Sequence, residues 1–116
     1  MSDDKEYSIS YSFLNRMCDF DPNPEINHDN LHKHGFSLKT AQAVFCDPYR
    51  TDDEYDAEHS RFEHRYSTIG MLPNGKIVVA WFTMRNESYR LITAREAENH
   101  EKLKYYDHVK SILGLV

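Results

Sequence analysis

Asn74-Gly75 stands between two runs rich in apolar and β-branched residues, Phe62 to Leu72 and Ile77 to Met84, and no other feature limits the fold of this chain as much. An Asn-Gly pair reaches the positive φ values of a tight hairpin at little cost, so the two runs are expected to pair as antiparallel strands across a two-residue turn. Ile77 to Met84 is nearly apolar on both faces, the pattern of a central strand covered on each side. Arg85-Asn86-Glu87 then turns the chain into a third strand, Ser88 to Thr93, which completes a meander.

The flanking segments read as short helices and loops. Tyr7, Ile9, Tyr11 and Phe13 alternate with Ser8, Ser10 and Ser12, the period of a half-buried strand. Asp19 to Pro24 breaks regular structure, and Pro24 suits the first turn of a helix that Gly35 stops after His34. Ser37 caps a second short helix, Leu38 to Phe45, which ends at Asp47-Pro48. Tyr49 to Ser60 is acidic and reads as an exposed loop with one weak strand at 49–51. Thr93 and Glu96 have capping-box spacing, which predicts a final helix from Ala94 to about Leu113. The expected fold class is α+β: an antiparallel sheet of about four strands, two short N-terminal helices and a C-terminal helix. The 116 residues suffice for one domain, taken as 19–116, with 1–18 an extension that serves as an extra edge strand or an arm to another subunit.

Charge is unevenly spread. The net value is −5, yet Asp19 to Ser60 carries ten acids against three bases, whereas Arg61 to Val116 carries nine bases against six acids. The positive half is also the half that reads as sheet, which permits an RNA-binding face there. The segment from Met1 to Phe13 lacks the apolar stretch of a secretory leader. The longest apolar run, Ile77 to Phe82, is far short of the ~20 residues that cross a bilayer. Cys18 and Cys46 form no disulfide or metal pattern, so a reduced, cytoplasmic protein without a membrane or cofactor is expected. His28 and His32 are four apart on the first helix and could share a zinc ion. They lack a zincin pattern or a cysteine partner and read as solvated, as does Asp52-Asp53-Glu54-x-Asp56, which lacks the glycine and final Glu of a calcium loop.

A series of landmarks then runs from Asn30 to Tyr105. Asn30 is followed by Lys33-His34-Gly35, Ala41, Val44-Phe45 and Asp47-Pro48; further on come Glu63-x-Arg65, Ile69-Gly70, Thr83-x-Arg85, Arg90 to Arg95 as Arg-Leu-Ile-Thr-Ala-Arg, Ala97, Glu101 and Tyr105. In order and spacing this resembles the BrnT toxins. The opening departs from that family: Phe20 keeps the aromatic place, but Pro22, Asn23 and Ile26 stand where the family has Trp, Asp and Lys. The resemblance implies a RelE-like fold with helices packed on one side of the sheet and a basic cleft. It also implies an RNase toxin neutralised by a BrnA-type antitoxin, whose ribbon-helix-helix region binds operator DNA.

Metal-free RNA cleavage needs a base for the 2′-hydroxyl, cations for the phosphorane and an acid for the leaving oxygen. Glu63 and Arg65, two apart on the predicted strand, project from one face and pair a base with a phosphate clamp. Arg90 lies on the neighbouring strand, and Arg95 falls in the first turn of the last helix; a guanidinium stays charged and binds phosphate bidentately. His34 is the second proton-transfer candidate because imidazole titrates near neutrality. The expected catalytic set is therefore His34, Glu63, Arg65 and Arg90, with Lys33, Arg95 and Trp81 binding substrate. Read without the family pattern, Glu63 and Arg65 form a surface ion pair, His34 favours a helix C-terminus and Trp81 packs in the core. The functional alternative is a degenerate BrnT-like module that pairs with an antitoxin without strong cleavage, and homodimerisation through the extension is a further expectation.

Overall fold

In the computed structural model, residues 18–20 and 24–115 are described, and they form a five-stranded sheet sandwiched between helices. In chain order the elements are β1 (Cys18–Phe20), α1 (Pro24–His34), α2 (Leu38–Ala41) running into a 3-10 turn (Gln42–Cys46), β2 (Glu54–Tyr55), β3 (Tyr66–Met71), β4 (Ile77–Arg85), β5 (Ser88–Glu96) and α3 (Asn99–Leu113). The sheet order is β1-β5-β4-β3-β2. Strands β2 to β5 are antiparallel neighbours, as the α+β reading expects, and β1 adds a parallel edge in which Asp19 faces Arg90. That short strand occupies part of a stretch expected to be irregular, and it begins at the proposed boundary of the extension. The alternating segment Tyr7 to Phe13 lies outside the described residues.

Both hairpins form, with turns set by local chemistry. The β3–β4 loop has three residues rather than two. Leu72 N–H donates to the Lys76 carbonyl at 2.8 Å, and Gly75 N–H donates to Leu72 at 2.9 Å. Gly75 takes the left-handed position that closes such a loop, with φ of 88°. Asn86 and Glu87 make the tighter β4–β5 turn with φ of 50° and 65°, between the paired Arg85 and Ser88. Asn tolerates that conformation; an exposed Glu is strained there by about 1–2 kcal/mol. Glu87→Gly is therefore expected to raise the unfolding free energy by about 0.5–1 kcal/mol after glycine's entropic cost, read as a higher urea midpoint. A lower midpoint would mean that the turn is not strained.

Burial follows the strand period. Val78, Ala80 and Phe82 join Leu38, Ala41, Val44 and Phe45 in a core on one face, whereas Ile77 and Val79 join Ile69, Ala97 and Tyr105 on the other. Between Trp81 and Phe82 the register slips, so that Trp81 faces Thr93 while Phe82 faces Leu91. Ile92 is the extra residue of this bulge, which lets Leu91 and Ala94 point into the same core although three residues apart. Gly70 lets the 3-10 turn lie close against the sheet: a Cβ there would lie 2.6 Å from Val44 Cγ2. Because Tyr105 and Val109 of α3 pack in the second core, the helices cover both faces and not one side as the resemblance implied. The near-continuous apolar pattern of β4 is what this two-sided cover requires.

The last helix starts later than expected. Thr93 and Glu96 remain in β5, and the capping box is made instead by Glu98 and Glu101. Arg95 is consequently a strand residue and not part of a helical first turn.

Candidate functional site

The α3 helix covers the second face of the sheet only in part. Along that face run Trp81, Thr83 and Arg85 of β4 and Arg90 and Thr93 of β5; Trp81 packs on the second core, Thr83 is buried and Arg85 is exposed. Arg90 lies opposite Thr83, and its neighbours Tyr89 and Leu91 both turn toward the first core. Its side chain therefore projects on the Trp81 side. A loop between β2 and β3 borders this stretch, and it is pinned at its neck. Asp56 N–H donates to the Arg65 carbonyl at 2.8 Å. The Ser60 hydroxyl donates to the Asp56 carbonyl at 2.5 Å and accepts from Arg65 N–H at 2.9 Å. Glu63 and Arg65 belong to this loop and not to β3, which begins at Tyr66; the Ser60 clamp competes successfully with strand extension.

Asp56, His59, Arg65, Trp81 and Thr93 line a cavity of about 190 Å³. A second of about 260 Å³ adjoins it and shares Asp56, His59 and Trp81, with Glu54, Tyr55, Glu58 and Ser67 on its far side. Together they make a groove floored by the indole. A larger depression elsewhere is bordered by Asp47, Asp52, Asp53 and Arg50 and holds none of the sequence-derived candidates; the groove on the indole carries three carboxylates of its own, Glu54, Asp56 and Glu58.

Glu63 sits between two guanidinium groups, 3.8 Å from Arg65 and 3.7 Å from Arg85. The Arg65 Nε is buried with no hydrogen-bond partner among the described residues. Arg95 lies over the Trp81 ring at 5.1 Å and makes two hydrogen bonds to Glu101, at 2.7 and 3.0 Å. Burial pushes the Glu101 carboxyl up, but the Arg95 hydrogen bond, the Glu98 N–H and the Arg95 charge together hold it below the usual carboxylate value. Those same bonds raise Arg95 against the effect of its own burial. Arg95 thus braces the indole with its charge already answered.

Of the sequence-derived candidates, Arg65 and Trp81 line the groove, Glu63 pairs with Arg65, and Arg90 and Arg95 share the sheet face. Lys33 and His34 end α1, exposed and half-buried respectively, and no hydrogen bond or ion pair joins His34 to Glu63, Arg65 or Arg90 among the described residues. That helix meets the site through Asn30, whose Oδ1 accepts from Thr93 Oγ1 at 2.9 Å and Ala94 N–H at 3.1 Å. Arg85 and His59 are the residues sequence reasoning passed over. The i, i+3 spacing of Asp56 and His59 was the available signal: His59 Nδ1 lies 2.9 Å from Asp56 Oδ2.

His28 and His32 stack with ring centres 6.2 Å apart. Among the described residues, ligating atoms of three such side chains converge at Glu98, His100 and Glu101. There Glu98 and Glu101 already serve the α3 cap.

Fold and surface together define a class: a small α+β domain whose sheet face carries one indole with Arg65, Arg85 and Arg95 near it, each ion-paired with Glu63 or Glu101. The model of the family described as ribonuclease toxin, BrnT, of type II toxin–antitoxin system matches residues 23–101. The chain belongs to the BrnT family of ribonuclease toxins, and the family description implies an RNA substrate and an antitoxin partner. Among solved structures, the chain is similar to the Brucella abortus ribonuclease toxin BrnT, with 17% identity over 72% of this chain and 99% of that one and a TM-score of 0.48. No curated protein matches it. No helix among the described residues is long and apolar enough to cross a membrane.

Proposed function

We propose that this chain is the endoribonuclease toxin of a type II pair, cutting cellular RNA without a metal ion and so slowing translation and growth. The observation that carries this reading is the cavity in which the partly exposed Arg65 guanidinium lies beside the Trp81 indole. A phosphate oxygen meets the exposed edge of that guanidinium, and a base stacks on Trp81. Arg85 and Arg90 extend positive charge along the same face, while Glu63 and His34 remain candidates for proton transfer. Lys33 and Arg95 are candidates for substrate contact. A BrnA-type antitoxin, which alone would meet operator DNA, is the proposed partner, and the protein works in the cytoplasm. Residues 1–18 are proposed as an extension to the 19–116 domain and as the dimer contact if a homodimer forms.

Purified protein is expected to cut a labelled single-stranded RNA in EDTA, and its expression is expected to arrest growth. The degenerate-module reading has one observation in its favour: Glu63 already answers part of the charge on Arg65 and Arg85. Harmless expression together with RNA left intact, with and without ribosomes, would select that reading.

A further inference from the structure

We infer that His59, oriented by Asp56, is the group that takes the proton from the attacking 2′-hydroxyl. This assignment rests on the nuclease reading above and goes beyond it by naming a residue that neither the sequence landmarks nor the family description single out.

Three features of the loop support it. The Asp56 carboxylate lies 2.9 Å from His59 Nδ1. A hydrogen on Nδ1 donates to Oδ2, which leaves the Nε2 lone pair as the acceptor in the neutral ring. The carboxylate side chain is 15% exposed and the imidazole 59%, so the orienting group is sheltered while the ring meets whatever enters the groove. The pair also rides on a fixed turn, because Asp56 N–H and the Ser60 hydroxyl tie the loop to Arg65.

Placement supplies the rest. His59 and Trp81 border both cavities, whereas Arg65 borders the first and Glu58 the second. An RNA strand crossing the groove with a base on the indole and a phosphate on Arg65 brings its ribose past His59. By comparison, Glu63 is spanned by two arginines and His34 lines neither cavity.

The step balances without a cofactor. The 2′-oxygen bonds to phosphorus as its proton passes to His59 Nε2, and the bond from phosphorus to the 5′-oxygen breaks with its electron pair on that oxygen. The leaving oxygen takes a proton from water, and the imidazolium returns its proton to the resulting hydroxide. The products are a 2′,3′-cyclic phosphate and a 5′-hydroxyl. Asp56 acts through His59 and is a positioning residue.

Single-turnover cleavage of a labelled single-stranded RNA, with ribosomes present if wild type requires them, and binding of the same strand fully 2′-O-methylated test the assignment. His59→Ala and His59→Gln are expected to cut about 10² to 10⁴-fold more slowly. Both should bind the methylated strand as wild type does, and imidazole added to His59→Ala should restore part of the rate. Asp56→Asn is expected to slow cleavage less, leave binding unchanged and shift the ¹⁵N signals of the His59 ring toward the other tautomer. Wild-type rates in both His59 variants would overturn the assignment and leave the nuclease reading standing. Slow cleavage with lost binding and no imidazole rescue would make His59 a binding residue and overturn it as well. A wild-type protein inert on RNA, with and without ribosomes, would remove the nuclease reading and this assignment together.

Discussion

Arg65→Ala is expected to reduce RNA cleavage by about 10² to 10³-fold, the usual loss when one preorganised donor to a developing oxyanion is removed. The substitution is a clean one. The loop that carries Arg65 is closed by its backbone N–H and carbonyl, acting on Ser60 and Asp56, so truncating the side chain leaves the neck intact. What disappears is a half-exposed guanidinium with a buried, unanswered Nε. Arg65→Lys should fall between wild type and alanine, because an ammonium restores the charge but not the planar fork. A stopped assay with purified protein in EDTA measures both, and an unchanged melting temperature confirms that the loss is functional. Cleavage equal to wild type in Arg65→Ala would place the phosphate clamp elsewhere or expose a contaminating nuclease.

The largest expected effect on stability comes from Phe82→Ala. Phe82 is 0% exposed, and three rings surround it: Phe45 and Tyr89 edge-on, each at 5.2 Å, and Tyr66 stacked at 5.9 Å. Removing it leaves a cavity bounded by β3, β5 and the 3-10 turn, none of which collapses without breaking strand pairs or moving Gly70 and Val44 from their close contact. The cost should be about 3–5 kcal/mol, a large share of the roughly 5–15 kcal/mol that holds a domain of this size together. Urea unfolding followed by tyrosine fluorescence or circular dichroism reads it directly. A loss below about 1 kcal/mol would mean that the aromatic cluster repacks and is not a rigid core.

The meander was legible because its signals are local. Ile77 to Thr83 shows its two-sided burial in composition, although the apolar run continues to the exposed Met84; Asn74-Gly75 and Asn86-Glu87 mark the turns, and Ser37 caps α2 by accepting from Thr40 N–H at 3.1 Å, as its residue type suggests. The errors arose where two local readings compete or where a distant partner decides. Thr93 and Glu96 have the same spacing as Glu98 and Glu101, and only the β4 pairing of residues 93–96 selects the later box. Cys18 to Phe20 is too short to announce itself, and its partner strand, Tyr89 to Leu91, is distant in sequence. Glu63 and Arg65 looked like strand residues because the tie between Ser60 and the backbone of Asp56 is invisible in an alternation pattern. At the site, Arg65 and Trp81 could be chosen for their chemistry. His59 was passed over, because one imidazole in an acidic loop reads as solvated unless its i, i+3 spacing to Asp56 is weighed.

Asp47 has one further consequence. Its Oδ2 accepts from Tyr105 Oη at 2.6 Å and from Met71 N–H at 2.8 Å, and its Oδ1 accepts from Tyr49 N–H at 2.9 Å. Burial and this carboxylate together push the Tyr105 phenol well above its ordinary value, so the bond persists through the physiological range. One side chain at the end of the 3-10 turn is thereby fastened to the sheet and to the helix that roofs its other face. The two hydrophobic layers share a rivet. A disturbance that loosens α3, whether heat or a partner gripping that helix, pulls on the turn beneath the sheet, and the toxin's two sides should therefore lose their order together.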